Sequence, residues 1–173
     1  MLCSTAHADA LASIQKAGVV QVAIPQDFPP FGSLGTDLTL QGYDIDMARL
    51  VAQELGVKVE LVAVTSTNRV PFLTTGKAHL VISSLGKNAE RAKVIDFTQA
   101  YAPFPKSVYG PKEMAIKAPA DLAGKTIGVT RGSTEDLALT KVAPASATIK
   151  RYEDNNATAQ SYLTGQVQLV TLG

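Results

Sequence analysis

The 173 residues are 46% hydrophobic and 18% charged, a balance that permits a packed core and excludes a disordered tail protein. Lys and Arg number 16 against 15 Asp and Glu, a formal charge of +1, which removes the electrostatic case for binding nucleic acid or an anionic membrane. One cysteine and two histidines leave no internal disulfide, no Cys-rich zinc site and little for a His-based one, and no apolar run approaches the roughly 18–20 residues of a membrane span.

In chain order, Ala6-His7-Ala8 is a small-x-small triplet of the kind a signal peptidase cuts after. Residues 1–8 therefore read as the tail of an export signal cut after Ala8; the alternative is an ordinary N-terminus. Cys3 reads as an inert thiol. Ala10 to Ala17 has helical spacing, with Leu11, Ile14 and Ala17 on one side and Gly18 as a stop. Val19 to Ile24 is a short β-branched strand. Pro25 to Pro30 cannot continue it, so Asp27-Phe28-Pro29-Pro30-Phe31 reads as a rigid loop. Thr39 to Gly42 reads as a turn.

Tyr43 to Gly56 is an amphipathic helix with Ile45, Leu50 and Val51 inward, widened by Met47 and Leu55. Asp44 and Asp46 are explained by the positive end of its dipole. Val57 to Val64 alternates as a strand, and Asn68 to Thr75 is a short helix closed by Gly76. Leu80-Val81-Ile82 is a buried strand, followed by the polar loop Ser83 to Asn88. Asp96 to Gly110 carries Pro103 and Pro105 and reads as a crossover between lobes. Strand Thr126–Thr130, helix Thr134–Val142, strand Thr148–Tyr152 and helix Asn156–Leu163 follow, then a terminal strand within Gly165 to Gly173. Strands alternating with helices predict an α/β fold with parallel sheets.

Ligands of open α/β sheets bind at the C-terminal ends of the strands. Three loops occupy that position: Asp27–Phe31, Ser83–Arg91 and Arg131–Glu135. Arg91 is suited to hold a carboxylate through two parallel hydrogen bonds, or is a surface arginine. Ser133 caps the helix from Thr134, with Asp136 completing a capping box, and the same N-terminus is suited to an anion. Phe28, stiffened by neighbouring prolines, forms either an apolar wall for a ligand or a core aromatic. No Ser-His-Asp trio presents itself, because His7 lies in the signal remnant and His79 among strand residues. No catalytic residue, metal site or cofactor is expected.

Several segments together resemble the bacterial extracellular solute-binding proteins of family 3, the polar amino-acid receptors of ABC importers. Gly42-Tyr43-Asp44-Ile45-Asp46-Met47-Ala48-Arg49-Leu50-Val51-Ala52 fits the family signature of Gly, aromatic, acid, apolar, acid, apolar before a helix. Pro71-x-Leu73 to Gly76-Lys77, Leu80 to Leu85, Glu90-Arg91, Ile95 to Thr98, Asp121 to Val129 and Gly132-Ser133-Thr134 follow in the family's order.

The resemblance implies a type II periplasmic binding-protein fold, with lobe 1 over 9–104 and a partial lobe 2 over 105–173, closing on one small L-amino acid. It implies that Arg91 pairs with the ligand carboxylate, that backbone groups of Ser84 and Gly86, with Ser133 and Thr134, complete the cage, and that Phe28 covers the ligand. Asn68 is expected near the side-chain pocket, and Leu85 and Thr130 complete the expected ligand-binding set. Gly86 departs from the family's usual serine, and Asp27 is the acid nearest to a basic ligand side chain. The resemblance further implies a periplasmic protein, an ABC permease at the inner membrane as partner, no nucleic acid, and a possible domain-swapped homo-oligomer through incomplete sheets. The family's Asp or Asn for the ligand ammonium falls at or just after Gly173, and the returning crossover is absent. The chain therefore reads as C-terminally truncated and is expected to bind poorly. Two other readings stand beside this one: a dehydratase of the cyclohexadienyl type, with Asp27 as the candidate acid, and a sensor extracellular domain.

Overall fold

The computed structural model describes residues 10–103 and 105–173. The expected signal remnant with its cut after Ala8, Cys3, His7 and the lobe limit at Phe104 lie outside the described residues. The chain forms two compact units, one running to Val64 and resuming over Pro71–Leu85, the other made of Thr65–Val70 and Gly86–Gly173. Residues 86–103 group with the second unit, whereas the lobe limits expected from the family resemblance assign them to the first.

The first unit contains α1 (Ala10–Ala17), β1 (Val19–Pro25), β2 (Asp27–Phe28), β3 (Gly32–Leu34), β4 (Leu40–Gln41), α2 (Tyr43–Glu54) and β5 (Lys58–Val64). It continues from the second half of α3 (Arg69–Thr74) to β6 (Leu80–Val81). The main sheet has the order β5-β1-β6 and is parallel throughout. Val20, Val22 and Ile24 of β1 point to one face, where Ile45, Ala48 and Ala52 of α2 and Ile14 of α1 meet them. Ala23 points to the other face, against Val64, Ala78 and Phe72. Each fully buried Val or Ile contributes about 1.5–3 kcal/mol, so β1, covered on both faces, is the organising strand.

Three expectations are corrected here. Leu50 is 50% exposed; the inward stripe of α2 is Ile45, Ala48 and Ala52, a spacing of three and four that leaves Leu50 on the outer side. Pro25 does continue β1, at its last position opposite Val64; β6 pairs only with Val22 and Ala23, so the proline stands beyond that ladder, where it takes nothing from the pairing with β6. The expected rigid loop and turn hold a small antiparallel sheet of order β2-β3-β4, with Asp27 opposite Ser33 and Leu34 opposite Leu40.

The second unit contains β7 (Ser107–Tyr109), β8 (Thr126–Thr130), α4 (Thr134–Val142), β9 (Thr148–Tyr152), α5 (Asn155–Leu163) and β10 (Leu169–Leu172), with short 3-10 turns at Arg91–Lys93 and Pro119–Leu122. Its sheet has the order β7-β10-β8-β9. β8 runs parallel to β9 and β10, while β7, inside the expected crossover, is antiparallel to β10. Leu122, Ile127, Val129, Leu139 and Leu169 form the core. Ser133 and Asp154 cap α4 and α5, accepting from the amides of Asp136 and Ala157, so both helices start where their first-turn donors are met.

Candidate functional site

The candidate residues of the first unit are Asp27, Phe28, Ser84 and Leu85. Phe28 is half-buried and stacks on Phe31 at 5.5 Å with 9° between the rings; Phe31 meets Tyr43 edge-on at 6.3 Å. Asp27 is buried in β2. Ser84 and Leu85 are half-buried in the turn after β6. Ser84 has φ 44°, a left-handed conformation that costs a non-glycine residue about 1–2 kcal/mol. Its N–H and its hydroxyl both donate to Oδ2 of Asp44, at 2.8 and 3.1 Å. The N–H is thereby committed, and the carbonyl is the backbone group Ser84 can offer a ligand.

The start of α2 also holds the other loop of this unit. The amides of Tyr43 and Asp44 donate to the carbonyls of Pro30 and Phe31 at 3.0 and 2.8 Å. Gly42 makes this possible: at φ 128° a Cβ would lie 2.6 Å from the Phe31 carbonyl oxygen and 2.7 Å from that of Pro30. Asp44 is fully buried, which corrects its reading as a mere dipole partner; Asp46 is exposed and pairs with Arg49 at 3.2 Å.

The candidates of the second unit are Asn68, Gly86, Arg91, Thr130, Ser133 and Thr134. Arg91 heads a 3-10 turn, its amide donating to Oδ1 of Asn88 at 2.8 Å. Its guanidinium donates through Nη1 to the Gly86 carbonyl at 2.7 Å and through Nη2 to the Gly132 carbonyl at 3.0 Å. Arg91 is thus seated beside the β8–α4 turn. Gly86 lies against Thr134, where a Cβ would stand 2.7 Å from the Thr134 methyl. That contact is a local reason for glycine where the family usually has serine. Ser133 is buried and spends its hydroxyl on the Asp136 amide. First-turn amides of a helix lack intrahelical acceptors, so those of Thr134 and Glu135 face outward from the helix end.

The expected capping box is only half present. Asp136 does not reach back to Ser133; Oδ2 accepts from the Gly132 amide at 3.0 Å, and Oδ1 accepts from Arg151 Nε at 2.8 Å. Thr130 is buried, and its hydroxyl meets Asn155 Oδ1 at 2.7 Å and Thr158 Oγ1 at 2.8 Å. Asn68 is half-buried and accepts the Thr65 amide at 2.9 Å.

Burial pulls the Arg91 guanidinium below its usual value, and the Glu135 carboxylate opposes the shift. An arginine remains a cation at neutral pH regardless. Glu135 is itself buried, and its Oε1 has no hydrogen-bond partner among the described residues. It also lines a cavity of about 330 Å³ with Lys106, Lys117, Leu139 and Thr171. Among the described residues no group of His, Cys, Asp and Glu is placed to hold a metal ion, and no helix is long and apolar enough to cross a membrane.

Sequence reasoning missed Asp44, Asn88 and Asp136 as holders of these loops. The family signature at Gly42–Asp46 was the available signal for the first; the others act through contacts that spacing alone does not reveal.

The chain is 29% identical to the L-arginine-binding protein of Pseudomonas aeruginosa over 153 residues, covering 87% of this chain and 59% of that one. It is 32% identical to the glutamine-binding protein of Geobacillus stearothermophilus over 146 residues, covering 82% and 56%. The chain therefore spans somewhat under three-fifths of the length of these two curated relatives. An ancestral amino-acid-binding protein, a precursor of cyclohexadienyl dehydratase, superposes with a TM-score of 0.87 at 32% identity, over 94% of this chain and 73% of that one. The named relatives are binding proteins, and the fold is that of the type II periplasmic amino-acid-binding proteins. A family model matches residues 20–165, and the chain belongs to the bacterial extracellular solute-binding proteins, family 3.

Proposed function

We propose that this chain carries the ligand-binding portion of an amino-acid receptor that delivers a small L-amino acid to an ABC importer. The observation that carries the reading is the seat of Arg91. Its guanidinium is held by two backbone carbonyls beside the amides of Thr134 and Glu135, a cation and a helix N-terminus that both favour a carboxylate. Arg91, Gly86 and Thr134 take the ligand carboxylate, the Ser84 carbonyl accepts from its ammonium, and Phe28 covers it. Asp27, Asn68 and Leu85 border the side-chain end. Ser133 and Thr130 act as supports, since their hydroxyls are bonded within the unit. The lobe limits 9–104 and 105–173 are kept as the functional division.

The receptor is exported to the periplasm, with its signal cut after Ala8, and docks on an inner-membrane permease. We further infer that the 173-residue chain, taken alone, binds a free amino acid poorly, since it corresponds to 59% of the Pseudomonas relative. Sheet edges at β5, β6, β7 and β9 offer sites for strand exchange between copies; light scattering giving a clean monomer at all concentrations contradicts that part. The main test is an NMR titration with the twenty L-amino acids. Dissociation in the millimolar range, about 4 kcal/mol, with shifts at Arg91 and Thr134 supports the reading. Saturation with every amino acid producing no shift there contradicts it.

The second reading is a dehydratase. Its support is the likeness to the dehydratase precursor, and Asp27 is the acid it would use. Release of phenylpyruvate from a prephenate-like acid, lost in Asp27→Asn, decides for it.

A further inference from the structure

We propose that Asp44 is a positioning residue that sets the Ser84 carbonyl for the ligand ammonium. The inference rests on the amino-acid-receptor reading above and adds to it a residue that makes no contact with ligand.

Asp44 is fully buried, and one of its oxygens, Oδ2, accepts both the amide and the hydroxyl of Ser84. Forty residues separate the two, so the contact is not part of helix capping. Bonds from an amide and a hydroxyl to a carboxylate are stronger than neutral ones. They hold Ser84 at φ 44°, where a serine does not rest unaided. With its N–H turned to Asp44, Ser84 has its carbonyl left for a donor. The backbone of Asp44 is itself fixed, since its amide donates to the Phe31 carbonyl at 2.8 Å. One residue at the start of α2 therefore ties the turn after β6 to the loop that carries Phe28. The N-terminal position suits a buried anion.

The test is an NMR titration of the 173-residue protein with L-arginine, L-glutamine and L-histidine, following the Ser84 carbonyl carbon and the Arg91 side-chain nitrogens. In the wild type both respond. In Asp44→Asn, the Arg91 signals still respond, the Ser84 response is lost, and Kd rises about tenfold, the scale of one charged hydrogen bond. Adding Ser84→Gly to Asp44→Asn recovers most of the affinity, because glycine adopts the left-handed region without help; a purely structural role for Asp44 does not allow that rescue. If Asp44→Asn does not fold, Ser84→Ala gives the same answer: it keeps Asp44, loses the hydroxyl bond and binds more weakly, and unchanged affinity overturns the proposal. Identical responses in wild type and a folded Asp44→Asn overturn the role of Asp44 alone. Absence of any wild-type response at both residues sinks the receptor reading and this inference with it.

Discussion

Arg151 donates through Nε to Oδ1 of Asp136 at 2.8 Å, and the same carboxylate holds the Gly132 amide through its other oxygen. The Asp136 side chain is 8% exposed and that of Arg151 33%, so the pair is partly shielded from solvent. The carbonyl of Gly132 in turn accepts from Arg91. An ion pair on one side of the β8–α4 turn thereby holds the amide of Gly132, the residue whose carbonyl receives the candidate binding arginine. Asp136→Asn should lower the unfolding free energy by about 2 kcal/mol, read from the urea midpoint. Arg151→Met should cost less, about 1 kcal/mol, because its head is more exposed. An unchanged midpoint in Asp136→Asn contradicts this role.

Gly86 is the second point of contact between the Arg91 loop and α4. A Cβ there meets the Thr134 methyl at 2.7 Å. Gly86→Ala should destabilise the protein by about 1 kcal/mol through overpacking. Thr134→Ser, which removes the methyl and keeps the hydroxyl, should restore most of that in the double variant. Additive losses in thermal denaturation count against the contact.

Thr130 separates support from ligand contact. Its hydroxyl is turned toward Asn155 and Thr158 of α5. Thr130→Val should cost about 1–2 kcal/mol of stability and leave amino-acid affinity unchanged in the folded protein. A large affinity loss with normal stability places the hydroxyl on the ligand instead.

Asp121 gives a pH signature at the other end of the second unit. The amides of Lys117 and Ala118 donate to its carboxylate at 2.8 and 2.9 Å and hold it below the usual carboxylate value of 3.8. A depressed folded value means that the bonds stabilise the folded state above the unfolded value. The contribution fades as pH falls through the folded one. The protection factors of the Lys117 and Ala118 amides, exchange rates taken relative to the intrinsic rate at each pH, should therefore fall only below about pH 4, and Asp121→Asn should lack that step. Loss of protection beginning near neutral pH contradicts the assignment.

The second unit was largely legible in the sequence because its signals are local. Ser133 stands one residue before α4, and the strands Thr126–Thr130 and Thr148–Tyr152 carry their own β-branched residues. The small β2-β3-β4 sheet was not legible, since its strands are two or three residues long and rich in turn formers. β7 was hidden for the same reason, and its partner β10 lies about sixty residues further on. For the candidate site, residue types were readable and commitments were not. The signature around Asp44 marks that residue without naming Ser84 as its partner, and nothing near Thr130 reveals that its hydroxyl is spent on α5. Burial and partners of that kind are set by tertiary packing rather than by spacing along one helix.

Arg91 decides the central claim. Its fork spans the carbonyls of Gly86 and Gly132, a geometry that an ammonium on a flexible stem does not reproduce. The decisive measurement is the Kd of wild type and Arg91→Lys, by NMR titration, for whichever L-amino acid binds the wild type. A carboxylate held by Arg91 predicts at least about a tenfold loss in the lysine variant, with α4 amide shifts abolished and the fold intact. Equal affinity in a folded Arg91→Lys contradicts it.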